Sequence, residues 1–297
     1  MERELWSELS AAIFDVQRGF KTHARSTYPI ANIVRVYLWA VLHDRPICWA
    51  CRAAHWSTAT RPKHLPSQST MSRRTRTASF QQFLDRLGQR LNGHAAATLI
   101  KRIDGKPLTV ANHSSDPDAS FGRGAGGMAN GFKLHAIHAG RPMPEAFEIQ
   151  PLNVSEQAVA KRLIGQLTGE GYLLGDANYD DSDLFDRAAD AGHQLIAPRR
   201  KPHTGLGHCR QSMHRLRCID RLEPGVNRPC TFGRALLRQR RQIESDFGNA
   251  VSFGGGLSTG LPAFVRRLSR VRRWGHAKLL INAARIRIRS KQTTVAA

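Results

Sequence analysis

No stretch of the 297 residues comes near the roughly 20 consecutive apolar positions that a membrane helix needs, and Arg35 interrupts the best candidate. A spanning helix is therefore not expected. Acidic side chains are scarce: 23 Asp+Glu stand against 45 Lys+Arg, a formal net charge of +22. The shortage is uneven. From Arg199 onward there are 22 basic and 4 acidic residues, net +18, while residues 1–198 carry only +4. Basic charge gathered in one third of a chain points to a polyanionic partner, nucleic acid first. Cysteine is sparse and odd in number (Cys48, Cys51, Cys209, Cys218 and Cys230), which does not suit a disulfide framework. Cys48-Trp49-Ala50-Cys51 is a C-x-x-C, and His208 precedes Cys209, but no second pair follows, so core thiols are expected rather than zinc. No low-complexity tract appears. The start, Met1-Glu2-Arg3-Glu4-Leu5, is charged at once and carries no targeting pattern, so a cytoplasmic protein is expected.

What is present is enough for a folded protein with one large and one small domain: 41% of the residues are hydrophobic. Leu5, Leu9, Ala12, Ile13 and Val16 recur at helical spacing. Pro29 opens a second helix with Ile33, Val34, Tyr37, Leu38 and Val41 on one face, and a third runs from Ile47 to about Ala54. A short capped helix spans Pro66 to Arg74, and Phe80, Phe83, Leu84, Leu87 and Leu91 mark one more. Residues 1–94 thus read as a small all-helical domain. Between Ser67 and Arg76, hydroxyls suit phosphates, while Gln68, Arg73 and Arg74 have the chemistry to reach DNA in a helix-turn-helix-like unit. A polar surface helix with an arginine cluster reads equally well from the same residues.

From Leu99 the period changes to two. Ile100–Val110 gives a strand carrying Asp104, a glycine-rich connection covers Phe121–Gly127, and Gly131–Ile137 and Ala146–Gln150 alternate as further strands. Ser155 caps a helix. Then Tyr172-Leu173-Leu174-Gly175-Asp176 ends a fourth strand in a carboxylate, a helix capped by Asp181 or Ser182 stops at Gly192, and Leu195-Ile196-Ala197 is a fifth strand. The order β-β-β-α-β-α-β predicts an α/β, ribonuclease-H-like domain over residues 95–297: a mixed five-stranded sheet flanked by helices. Residues 199–233, basic and poorly periodic, read as an insertion. After it, Leu236 to Gly248 is helical, with Leu236, Ile243, Phe247 and Ala250 inward and Glu244 one turn beyond Arg240 and Arg241.

In this topology the first and fourth strands carry Asp104 and Asp176, and Glu244 lies on a later helix. A phosphodiester is anionic and poorly electrophilic, so its displacement profits from two hard cations held by carboxylates. Taken singly, each carboxylate is equally a surface ion pair or a turn residue. Asp180, Asp181, Asp183 and Asp186 read as helix N-terminal charges rather than ligands. Lys106, Lys133 and His135, on the first two strands, have two open readings: groups approaching DNA, or strand residues facing solvent.

Four motifs in order carry a family resemblance: Ile103-Asp104-Gly105-Lys106-Pro107-Leu108, Gly131-Phe132-Lys133-Leu134-His135-Ala136, Leu174-Gly175-Asp176-Ala177-Asn178-Tyr179, and Arg240-Arg241-Gln242-Ile243-Glu244-Ser245-Asp246-Phe247-Gly248. Over roughly residues 99–290 the chain resembles the DDE transposases of bacterial insertion sequences, in the group with an insertion before the glutamate. The resemblance implies that Asp104, Asp176 and Glu244 are catalytic and bind two Mg²⁺, with Mn²⁺ as a substitute, and that Arg240 or Arg241 contacts the DNA backbone. It implies metal-dependent cleavage at element ends and strand transfer into target, acting at the bacterial nucleoid. The implied partners are double-stranded DNA and a second copy in a synaptic homodimer, with no membrane and no small-molecule cofactor. Some relatives place a tyrosine three residues before the arginine and a lysine seven after the glutamate. Counted from Arg240, these positions are Leu237 and Val251, so the resemblance does not extend to a hairpin step that needs those side chains. Two alternatives remain at this stage: a nuclease of the same fold that never joins strands, and a non-catalytic DNA-binding remnant of an element.

Overall fold

The computed structural model of the protein describes residues 2–20, 27–93, 95–110, 115–124, 126–202, 204–206, 210–223, 231–243, 247 and 260–296. By contacts the chain divides into two units, Met1–Ala95 with Asn249–Ala297, and Ala96–Gly248.

The first unit is helical. Helices α1 (Glu2–Arg18), α2 (Ile30–Leu42), α3 (Ile47–Ala50), α4 (Gln68–Arg74) and α5 (Ala78–Asn92) follow the expected apolar spacing. Leu5, Leu9 and Ile13 of α1 and Phe80, Phe83, Leu84, Leu87 and Leu91 of α5 are almost wholly buried. Each such side chain contributes roughly 1.5–3 kcal/mol relative to exposure. Ser67 accepts a hydrogen bond from the Thr70 backbone N–H and Thr77 one from that of Phe80, so a hydroxyl cap starts both α4 and α5. The C-terminal helix, Leu268–Ala296, packs against α1, α2 and α5. The sequence had assigned it to the catalytic domain. Its buried residues, among them Val271, Trp274, Ala277 and Leu280, complete the helical core instead.

The second unit is an α/β sheet. Its elements are β1 (Ile100–Thr109), β2 (Ser120–Gly124), β3 (Gly127–His138), β4 (Ala146–Pro151), α6 (Glu156–Ile164), β5 (Gly171–Leu174), α7 (Ser182–Asp190), β6 (His193–Ile196), α8 (Met213–Leu222) and α9 (Thr231–Arg238). β1 lies antiparallel to β3 and parallel to β5, and β5 is parallel to β6. The other edge of β3 is shared: β4 pairs with Phe132–Ile137 and β2 with Gly127–Gly131. The spatial order β4-β3-β1-β5-β6, with β3 reversed, is the ribonuclease-H-like arrangement, and helices cover the sheet.

Two stretches differ from the expected elements. The glycine-rich connection contains a sixth strand, β2. Two glycines at this corner, Gly122 of β2 and Gly131 of β3, are a packing requirement: a side chain on Gly131 would stand 2.4 Å from the Leu108 carbonyl oxygen, and one on Gly122 would stand 2.5 Å from that of Leu152. The basic insertion contains α8, capped by Ser212, and the start of α9. α8 anchors through Cys218, whose Sγ donates to the Ala197 carbonyl at 3.4 Å, so this cysteine is a core thiol. Cys48 and Cys51 are free and half-buried, and no metal-ligating group of three or more His, Cys, Asp or Glu occurs among the described residues.

β3 has one buried ionisable group of thermodynamic interest. His135 is 1% exposed, and burial chiefly, then the Lys133 ammonium, push its pKa down to about 4, with Glu148 opposing. Between pH 6.5 and 4 the unfolded chain therefore binds more protons at this site than the folded one. Stability should fall on acidification through that window, by on the order of 2 kcal/mol from this residue, and be flat above it. Urea titrations at pH 7 and 4.5 on the native chain and on His135→Gln should show a smaller pH effect in the variant. Equal effects would remove His135 from the account.

Candidate active site

β1 and β5 run parallel with Arg102 opposite Leu174. Two residues further along each strand stand Asp104 and Asp176. Side chains alternate with period two, so the register sets both carboxylates side by side on one face, at the carboxyl end of β5. Asp176 lies two residues past the last paired position of β5, where it begins the turn Ala177–Tyr179.

Each carboxylate is held. Asp104 Oδ1 accepts the Gly105 N–H at 2.8 Å, and the Arg240 Nη2 stands 3.4 Å from Oδ2. Burial raises the Asp104 pKa; the Gly105 N–H and Arg240 work against this, while Asp176 and Glu156 add to it. Its ionised form is therefore disfavoured chiefly by its withdrawal from water. Asp176 caps the single turn Ala177–Tyr179, accepting from the Asn178 backbone N–H at 2.9 Å and from Asn178 Nδ2 at 3.2 Å. Gly175 makes room for the Tyr179 ring, which would lie 2.9 Å from any Cβ there. Tyr179 is 1% exposed, its hydroxyl has no hydrogen-bond partner among the described residues, and its pKa is raised by burial first, then by Glu156, Asp104 and Asp176. Gln157 Nε2 ties the start of α6 to the same turn through the Asn178 carbonyl at 3.1 Å. Sequence reasoning missed Glu156 and Tyr179. The register of β1 and β5 could have pointed to the turn, but nothing local marks the N-terminus of α6 as its neighbour.

Beside Asp176 opens a cleft of about 680 Å³, lined by Gly175, Pro198 and four arginines, Arg234, Arg238, Arg240 and Arg241. Arg240 and Arg241 were expected there; Arg234 and Arg238 belong to a helix that begins earlier than its sequence suggested. Leu236, Ile243 and Phe247 are buried, as the apolar stripe required, and Phe247 meets His138 edge-on at 5.4 Å. Glu244 and Ala250 lie outside the described residues.

The remaining candidates separate. Lys106 is half-buried and, by register, shares the Asp104 face. Lys133 does not: it sits over Gly105 on the opposite face, is 8% exposed and forms an ion pair with Glu156. Its ammonium is committed to packing the sheet, which corrects its expected place at DNA, and buried His135 shares that face. Arg73 and Arg74 belong to α4 of the helical unit. Among the neighbouring acids, Asp181 caps α7, accepting the Leu184 N–H at 3.1 Å. Asp180 instead binds Arg215 of α8 at 2.6 and 2.8 Å and accepts the Arg200 N–H. Burial would raise the Asp180 pKa, but these bonds outweigh it and hold the carboxyl below its usual range. It fastens the insertion to the rim of the sheet.

The carboxylates of Asp104 and Asp176 are hard oxygen donors of the kind a divalent cation takes. The sheet is ribonuclease-H-like, with Asp104 within β1, Asp176 just past β5 and an arginine-lined cleft beside them. Over residues 98–260, more than half its length, the sequence matches the family described as "Transposase DDE domain"; the chain belongs to that family. A solved structure with similarity is the piggyBac transposase synaptic complex with hairpin DNA, at 11% identity and a TM-score of 0.31, covering 76% of this chain and 52% of that one. The chain thus spans about half the length of that transposase. No curated protein matches. No helix among the described residues is long and apolar enough to cross a membrane.

Proposed function

We propose that the protein is an insertion-sequence transposase that cleaves DNA at element ends and joins the freed strand to target DNA. Membership of the transposase DDE domain family supports a transposition enzyme in general. The observation that carries the finer reading is the β1–β5 register, which sets Asp104 beside Asp176 next to the arginine cleft. Asp104, Asp176 and Glu244 would hold two divalent ions, Mg²⁺ with Mn²⁺ as substitute. The chemistry such a pair supplies is activation of the attacking oxygen and stabilisation of the leaving oxygen in an in-line displacement at phosphorus.

The chain's own groups do the rest. The Gly105 N–H and the Asn178 amides fix the carboxylate orientations, so little rearrangement is needed when a ligand arrives. Arg234, Arg238, Arg240 and Arg241 offer guanidiniums to backbone phosphates, and Lys106 adds an ammonium on the same face as Asp104. With water as attacker the strand is cut. With a 3′-hydroxyl as attacker it is joined. The helical unit, with Arg73 and Arg74 on α4, supplies DNA binding, and a homodimer pairs two ends. The setting is the bacterial nucleoid.

The test supplies a donor strand ending in a free 3′-hydroxyl, a target duplex and Mg²⁺ or Mn²⁺. Joined product is expected. Cleavage without joining would reduce the protein to a nuclease of the same fold, and neither product would leave a DNA-binding remnant.

A further inference from the structure

The helical unit encloses a cavity of about 240 Å³ walled by α2, α3, α4 and the C-terminal helix. Its walls are apolar: Tyr37, Val41, Ile47, Val265 and Trp274 contribute to them. Four arginines also line it: Arg45, Arg76, Arg270 and Arg273. Among the described residues no carboxylate lines it and none of the four forms an ion pair; Arg76 Nη2 donates to Ser72 Oγ at 3.3 Å. Arg273 is half-buried, and its acidity is increased by burial first and then by the neighbouring Arg76 and Arg270. Trp274 is 2% exposed, and its Nε1, a donor only, is buried without a hydrogen-bond partner.

Four like charges around an apolar floor repel one another, and an orphaned buried donor is a further cost. Elsewhere in this chain basic groups that leave water find acids: Lys101 meets Glu145, Lys278 meets Asp44 and Arg215 meets Asp180. Among the described residues the four arginines of this pocket have no such acid, and neither has half-buried Arg35, whose Nη2 donates to Ser10 Oγ. A tetrahedral oxyanion would neutralise the guanidiniums and offer acceptors to an indole N–H.

We propose that this pocket is a phosphate-binding site, filled by a phosphate group carried on a nucleic-acid strand or on a free phosphorylated molecule. Its walls include Gln68, Ser72 and Thr75 from α4 and the residue after it. That is the segment whose composition suits DNA, so the strand is the expected source. Only this choice of source rests on the DNA-binding reading of the helical unit.

The experiment uses the full chain, Arg273→Gln, the charge-conserving Arg273→Lys, and Arg3→Gln on exposed α1 as a charge control. Thermal melts with and without inorganic phosphate at constant ionic strength are run beside duplex-binding titrations over a salt series. Phosphate should raise the melting temperature of the native chain and of Arg3→Gln but not of Arg273→Gln, with Arg273→Lys between. Without phosphate, Arg273→Gln should melt no lower than the native chain, because it loses an unpaired charge. If a strand fills the site, Arg273→Gln should bind duplex roughly three- to tenfold more weakly, with the slope of log affinity against log salt smaller by about 1. Phosphate protection lost with duplex binding intact would assign the site to a free phosphorylated molecule. A native chain that binds no duplex would overturn the DNA reading while leaving the phosphate melts to decide this one. Equal melts and equal duplex binding in all four proteins would overturn the proposal.

Discussion

Asp176→Asn should lower metal-dependent DNA cleavage by on the order of 10²–10³-fold while leaving binding to duplex DNA intact or slightly tighter. The loss is large because an amide cannot supply the charge that a divalent ion requires, and a single preorganised electrostatic group at such a centre is worth about 3–4 kcal/mol. The fold should survive. The amide oxygen still accepts the Asn178 N–H, and the turn at Ala177–Tyr179 remains capped. Binding should not suffer, since a carboxylate repels phosphate rather than holding it. Asp104→Asn should show the same loss with an added signature. Burial and two neighbouring carboxylates raise the Asp104 pKa, so the ionised group is a cost to the folded state at neutral pH. The Asp104→Asn chain should therefore melt at or above the native temperature although inactive. Cleavage assays paired with melting curves check both statements; retained cleavage in either variant would remove that carboxylate from the chemistry.

Glu145→Leu should destabilise the 96–248 unit by about 3–5 kcal/mol, the largest stability effect expected in the sheet. Lys101 is buried in β1, three residues before Asp104. Its Nζ lies 2.9 Å from Glu145 Oε2 and 2.5 Å from the Thr168 carbonyl, with both charged side chains under 5% exposed. The Glu145 carboxylate also accepts the Thr168 N–H and hydroxyl, each at 2.8 Å. Burial would raise its pKa, but the Lys101 and Thr168 bonds prevail and hold it low. Removing the acid alone strands a buried ammonium. Lys101→Met combined with Glu145→Leu should recover most of the loss, because the pair itself is worth little once its desolvation is counted. Denaturant titrations of the two single variants and the double variant decide this. An additive double variant would mean that the two charges do not interact.

Much of the sheet was legible because its strands alternate and its turns carry Gly or Asp. Asp104 and Asp176 stood out as carboxylates following apolar runs, and Asp181 as a cap. What stayed hidden depends on distant neighbours. The glycines of β2 signal a corner where backbones nearly touch, yet in sequence they resemble a flexible link. α8 is so rich in arginine that its core-facing pair, Cys218 and Leu222, is masked. Lys133 alternates like a solvent-facing residue, and only the fold reveals Glu156 beside it. The apolar side chains of the C-terminal helix, Val271, Trp274, Ala277 and Leu280 among them, would suit a core in either unit. Nothing local tells it to pack on α1, α2 and α5.

The central claim is that Asp104, Asp176 and Glu244 converge on divalent ions. Fe²⁺ bound in place of Mg²⁺, with ascorbate and peroxide, generates hydroxyl radicals that cut the polypeptide within a few ångströms of the iron. Mapping the fragments should give three clusters of cuts, around residues 104, 176 and 244, suppressed by excess Mg²⁺ and lost in Asp176→Asn. Cuts that avoid any one of these segments, or that persist unchanged in the variant, would contradict the account.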